Sequence, residues 1–114
     1  MKRYIQTLDL VDDPELIAFY KKAHDEIWPE IVAGIQSVGI TTMDIYMSGT
    51  RLVMILEMPD DVDKDEAFAR LATLPRQQEW EEYVGRCQVC RPGDSSSEKW
   101  HLMEKIFALP SEQN

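Results

Sequence analysis

Residues 40–58 read ITTMDIYMSGTRLVMILEM, and this stretch decides the fold. Residues 40–48 carry the β-branched and aromatic side chains of a strand. Ser48-Gly49-Thr50 is a short turn, and residues 51–58 read as the hairpin partner. Every residue from Leu52 to Leu56 is apolar, so both faces of this second strand are expected to be buried.

Upstream, residues 2–11 (KRYIQTLDLV) have Tyr4, Leu8 and Leu10 on one parity and Ile5 and Val11 on the other. They read as a strand, again apolar on both faces. Asp12-Asp13-Pro14 is a helix-start signal. From Pro14 to about Val38 the period is helical, with Leu16, Tyr20, Ala23, Ile27, Ile31, Ile35 and Val38 in one stripe. Gly39 reads as the C-terminal cap.

Downstream, Pro59 to Lys64 is an acidic loop. Residues 65–73 and 76–85 read as two helical pieces broken at Pro75, and residues 91–99 (RPGDSSSEK) as a polar loop. Residues 100–109 (WHLMEKIFAL) read as a final strand, with a flexible tail after Pro110. The order strand, helix, strand, strand, helix, strand predicts one α+β domain over residues 1–114, a ferredoxin-like βαββαβ sandwich. Two helices can cover only one face of a four-stranded sheet. The apolar residues of the other face call for a cover, and a second copy of the same sheet is the simplest one. The expectation is a homodimer with sheets packed face to face, a dimeric α+β barrel.

The 114 residues carry 12 Lys and Arg against 21 Asp and Glu, a formal charge of −9. That balance argues against nucleic acid and against an anionic membrane surface as partners. A neutral small molecule suits it. No apolar run approaches the roughly 20 residues of a membrane span, and the first residues lack the apolar core of a signal peptide. The expected location is cytoplasmic. Cys87-Gln88-Val89-Cys90 has the C-x-x-C spacing, but a structural zinc needs four ligands and only two histidines remain, far apart. Incidental cysteines are the better reading.

The chemistry-bearing stretch is residues 20–30, YKKAHDEIWPE. Tyr20, His24 and Trp28 stand at i, i+4 and i+8 on one side of a helix. Pro29 lacks the N–H that would bond back to Asp25, so a kink is expected there, beside a row of aromatic groups and one side chain that titrates near neutral pH. A pocket with an aromatic wall would follow. The bland alternative for His24 is a core histidine bonded to a carbonyl, and Tyr20 and Trp28 alone would be core residues. Tyr46 on the second strand could send its hydroxyl to a pocket or simply pack. Trp80 and Tyr83 share a helical face, and a Trp in a pocket can stack on a sugar. Glu57 and Glu104 are carboxylates in apolar strands, and His101 alternates with Trp100 and Leu102 as a structural residue would.

The run Tyr20-x3-His24-x3-Trp28-Pro29-Glu30 closely resembles the L-rhamnose mutarotase family. The resemblance continues through IYMSGTRLVMILEM and EWEEYV to EKWHLMEKIFAL, nearly the whole chain. It implies a dimeric ferredoxin-like barrel that interconverts the α and β anomers of a 6-deoxy-L-hexose without metal or cofactor. It implies that His24 is the catalytic acid/base, that Tyr20 contacts the sugar, and that Trp80 is the first of two pocket tryptophans. Rhamnose-specific members carry a second Trp where this chain has Glu81, and a Tyr where it has Met43. Both ends of the chain look more like the branch of type 2 L-fucose mutarotases. L-fucose is therefore the expected substrate and L-rhamnose the runner-up, with Tyr20, Tyr46, Trp80 and Trp28 binding the sugar. The same architecture also houses small monooxygenases and could serve a sugar-binding module, which fold alone does not separate.

Overall fold

A computed structural model describes residues 1–91 and 93–110. The strands are β1 (Lys2–Asp9), β2 (Thr42–Ser48), β3 (Arg51–Met58) and β4 (His101–Leu102), and they form one sheet in the order β2-β3-β1-β4. All pairings are antiparallel. Among the described residues there are five helices: α1 (Pro14–Asp25) and α2 (Pro29–Ser37) before the hairpin, and α3 (Lys64–Leu71), α4 (Gln77–Gly85) and α5 (Ser96–Lys99) after it. This is the ferredoxin-like α+β order that the hairpin and its flanks predict.

β3 is central, and its burial alternates strictly. Leu52, Met54, Leu56 and Met58 are buried, whereas Val53, Ile55 and Glu57 are only half-buried. The buried parity faces the helices and meets Ile31, Leu71, Trp80 and Val84 in one core. Each such side chain contributes roughly 1.5–3 kcal/mol by leaving water. The outer face presents Ile5 and Val53 beside Ile55, with Tyr46 60% exposed. The continuous apolar run of β3 therefore splits into a fully covered face and a partly open one.

Pro29 starts a new helix instead of kinking the old one. Asp13 caps α1 by accepting from the N–H groups of Glu15 and Leu16, and α1 ends at Asp25. Trp28 then adopts extended angles, φ −68° and ψ 135°, as a residue before proline prefers. Pro29 takes the first helical position, where its missing N–H costs nothing. Gly39 leaves α2 at φ 98°, and a Cβ there would stand 3.0 Å from a Val62 methyl. Gly49, at φ 61°, turns the hairpin.

Two further expectations are corrected. Residues 91–99 hold α5, whose capping box joins Ser95 and Glu98. The strand expected over residues 100–109 shrinks to His101–Leu102, which pairs with Thr7 and Gln6. Met103 still donates its N–H to the Ile5 carbonyl. Beyond it Ile106, Phe107 and Leu109 are 89%, 72% and 83% exposed, so nothing among the described residues covers them. Of the predicted tail, residues 111–114 lie outside the described residues.

Candidate active site

A cavity of about 840 Å³ opens between the helices and the buried face of the sheet. Tyr20 and His24 reach it from α1, Trp80 and Glu81 from α4. Gln88 follows α4, and Ser96 and Trp100 come from α5 and its end. Met43, Ile45 and Met54 form the floor from the sheet. The volume falls within the roughly 300–1,000 Å³ of small-molecule sites, and the lining combines apolar walls with a few polar groups.

His24 sits on the last turn of α1, half-buried. Its ring lies 4.4 Å from that of Tyr20 and 5.3 Å edge-on from that of Trp80. Nδ1 is 2.9 Å from the Tyr20 carbonyl oxygen. A carbonyl only accepts, so Nδ1 carries the hydrogen and Nε2 of the neutral ring is a free base. Burial pushes the His24 pKa below the ordinary histidine value, outweighing the carbonyl bond and the nearby Asp25 charge. The ring is thus neutral and basic at pH 7.

Tyr20 is buried, and Gln88 donates its Nε2–H to the phenol oxygen at 3.3 Å. The hydroxyl hydrogen remains available to an acceptor in the cavity. Burial, with help from the Glu81 charge, raises the Tyr20 pKa far above that of a free phenol. Tyr20 therefore stays protonated and serves as a hydrogen-bond donor rather than an acid. The Oε1 of Gln88 is buried without a partner among the described residues.

Trp80 is buried and lines the cavity. Trp28 does not reach the lining. It stands behind Trp80, edge-on at 5.2 Å, with Tyr83 5.1 Å away and the Arg76 guanidinium 4.1 Å over its ring. Arg76 holds that position with its Nε and a terminal nitrogen on the two oxygens of Glu79, both at 3.1 Å, from a left-handed backbone at φ 65°. The direct wall expected of Trp28 is therefore indirect support. Tyr46 is not brought to this cavity either. It pairs with Val53 on the outer face, the opposite side of the sheet from Met54. Sequence reasoning reached Tyr20, His24 and Trp80 but missed Gln88, Ser96 and Trp100. Of these only Ser96 had a local signal, the S-x-x-E spacing of Ser95 and Glu98 that starts α5.

The remaining candidates do not line this cavity. Glu57 pairs with Arg3 on the outer face, and Glu104 and His101 are exposed. Cys87 and Cys90 are free thiols, both with pKa raised by burial.

Fold and cavity together define a small ferredoxin-like α+β protein with one neutral histidine base in an aromatic-walled pocket. The sequence pattern of the L-rhamnose mutarotase family matches residues 3–109, and the chain belongs to that family. Mutarotases are carbohydrate isomerases. The chain is 44% identical to an L-fucose mutarotase of Xanthomonas campestris, over 96% of this chain and 89% of that one. It is 46% identical to an L-rhamnose mutarotase of Acidiphilium cryptum, over 86% and 90%. The crystal structure of an L-rhamnose mutarotase from Formosa agariphila shares the fold, with a TM-score of 0.72 at 18% identity, covering 96% of this chain and all of that one.

Proposed function

We propose that this protein is an aldose mutarotase that interconverts the α and β anomers of L-fucose, with His24 as its acid/base group. The single observation that carries the mechanism is the Nδ1 contact of His24 with the Tyr20 carbonyl, which leaves Nε2 as a base in the cavity. Ring opening removes the proton of the anomeric hydroxyl and forms the C1 carbonyl. The bond from C1 to the ring oxygen breaks, its electron pair stays on that oxygen, and the oxygen takes a proton. Both oxygens are bonded to C1, so one imidazole reaches either. Nε2 takes the first proton, and the imidazolium returns one to the ring oxygen. Rotation about C1–C2 and the reverse sequence on the other carbonyl face give the second anomer. Tyr20 orients the sugar by donating its hydroxyl hydrogen, and Trp80 offers an apolar wall suited to the C6 methyl.

L-fucose is favoured over L-rhamnose because Glu81 and Met43 replace the aromatic residues of rhamnose-specific members, and because the 44% identity to an L-fucose mutarotase extends over nearly the whole chain. A single cytoplasmic domain acting as a homodimer completes the reading. Two free thiols suit a reducing compartment. The partly open sheet face and the exposed apolar side chains of Ile106, Phe107 and Leu109 suit a second copy of the chain. The α+β barrel oxygenase alternative is not favoured by the family match.

Saturation-transfer NMR between the anomeric protons of L-fucose, L-rhamnose and D-glucose tests the activity. Faster exchange of a 6-deoxy-L-hexose with the protein present is the expected result, fastest for L-fucose. No acceleration for any of the three would overturn it.

A further inference from the structure

Among the described residues, Glu81 is the one carboxylate that lines the cavity alongside His24, Tyr20 and Trp80, apart from Asp25 on the exposed end of α1. Its side chain is 15% exposed, and three donors hold it. Gln77 Nε2 bonds to Oε2 at 2.8 Å, the Ser96 hydroxyl bonds to the same oxygen, and Lys99 Nζ bonds to Oε1 at 3.0 Å. Lys99 is 3% exposed, and its ammonium also donates to the Glu81 carbonyl at 2.8 Å. An ionised carboxylate has about four acceptor positions. Three are filled, and the one left is on Oε1.

A buried Lys–Glu pair is a poor device for stability alone, because desolvating both charges offsets their attraction. This one stands where two cavities meet. Glu81, Gln77 and Ser96 line the site and also a second cleft of about 560 Å³ on the far side of α4. The clamp by three donors fixes where the carboxylate points before any ligand arrives. The Glu81 charge is also felt at the Tyr20 hydroxyl, whose pKa it helps to raise, so the two groups address neighbouring parts of the cavity.

We propose that Glu81 determines sugar specificity: its carboxylate, held by Lys99, Ser96 and Gln77, accepts a hydrogen bond from a ring hydroxyl of the deoxy sugar bound beside His24. The inference rests on the mutarotase reading above. A hydroxyl bonded to a carboxylate is a strong, directional contact. L-fucose and L-rhamnose differ in configuration at C2 and C4, so a fixed acceptor at one position meets a hydroxyl in one sugar and not in the other.

The test compares anomer exchange of L-fucose and L-rhamnose by wild type and Glu81→Gln. For the sugar that wild type prefers, KM is expected to rise roughly tenfold or more, as for a lost hydrogen bond to a charged acceptor. The kcat should fall far less, and the preference between the two sugars should shrink by a similar factor. Where Glu81→Gln fails to fold because Lys99 is left unpaired, the double variant Glu81→Gln/Lys99→Met removes both charges and is read the same way. A lower melting temperature with KM and the sugar preference unchanged would show that the pair only anchors α5, and would overturn the proposal while leaving the mutarotase reading intact. A wild type that accelerates neither sugar would overturn both.

Discussion

His24 Nδ1 stands 2.9 Å from the carbonyl oxygen of Tyr20, one helical turn earlier on α1. The helix itself therefore fixes the tautomer of the base that it carries. Replacing His24 by Ala should remove acid/base help worth roughly 10²–10⁴-fold in the exchange rate. Saturation-transfer NMR measures this directly. The half-buried position means that the fold should survive the change, which a thermal melt checks.

The same residue sets a pH dependence. Burial lowers the His24 pKa in the folded chain, so the active neutral form persists below pH 6.5. The kcat/KM for anomer exchange should be level above neutrality and fall on the acid side, with its midpoint under that value. Stability follows the same sign. Above the unfolded-state pKa the ring is neutral in both states, and the group costs nothing. As pH falls below it, the unfolded chain takes up a proton that the folded site resists, and stability is lost until the folded pKa is passed. In His24→Gln this part of the acid-side loss should disappear from denaturation curves recorded against pH.

Tyr20→Phe removes the oxygen to which Gln88 donates. Since Oε1 of Gln88 already lacks a partner, the whole amide would be buried unsatisfied. A loss of about 1–3 kcal/mol in urea unfolding is expected. A weaker KM should accompany it, because the variant also loses the hydroxyl donor in the cavity.

Arg76 combines a strained backbone with the stacking that holds Trp28 behind Trp80. Arg76→Ala loses the stack and keeps the left-handed conformation. Arg76→Gly loses the stack but relieves roughly 1–2 kcal/mol of strain. The glycine variant should therefore unfold at higher urea than the alanine variant. Both should shift the fluorescence of Trp28 and Trp80.

The proposed dimer predicts that Ile55→Asp, on the partly open face of β3, lowers the sedimentation coefficient toward that of a monomer. Wild type that already sediments as a monomer would count against the dimer.

Much of this architecture is legible in the chain itself. The hairpin declares itself because Gly49 sits between two strand-like runs, and α1 because Asp13-Pro14 is both cap and first turn. Pro29 was legible as an interruption but not as a beginning, since a proline that kinks one helix and a proline that opens the next share the same local sequence. The parity of Tyr46 was hidden for a different reason. Ile45 and Tyr46 are both apolar in part, so alternation alone does not say which faces the helices. The length of the last strand depends on its partner. Only Gln6 and Thr7 of β1 are paired to it, and beyond the Met103 bond to Ile5 extended-chain propensity over residues 104–109 finds no further edge among the described residues. Gln88 and Trp100 enter the cavity through contacts between segments distant in sequence, which no local pattern announces.

The βαββαβ order divides the site between two halves of the chain. The first half supplies the proposed proton-transfer group, His24, and the tyrosine proposed to orient the sugar, Tyr20, both on α1. The second supplies Trp80, Glu81, Gln88, Ser96 and Trp100, the groups that would meet the rest of the ring. On the proposed reading, the proton-transfer group and the proposed specificity residue Glu81 therefore lie on separate segments. Exchanging residues 77–100 between relatives could change the sugar accepted without moving the base, so new substrate preferences are open to this fold at little risk to its chemistry.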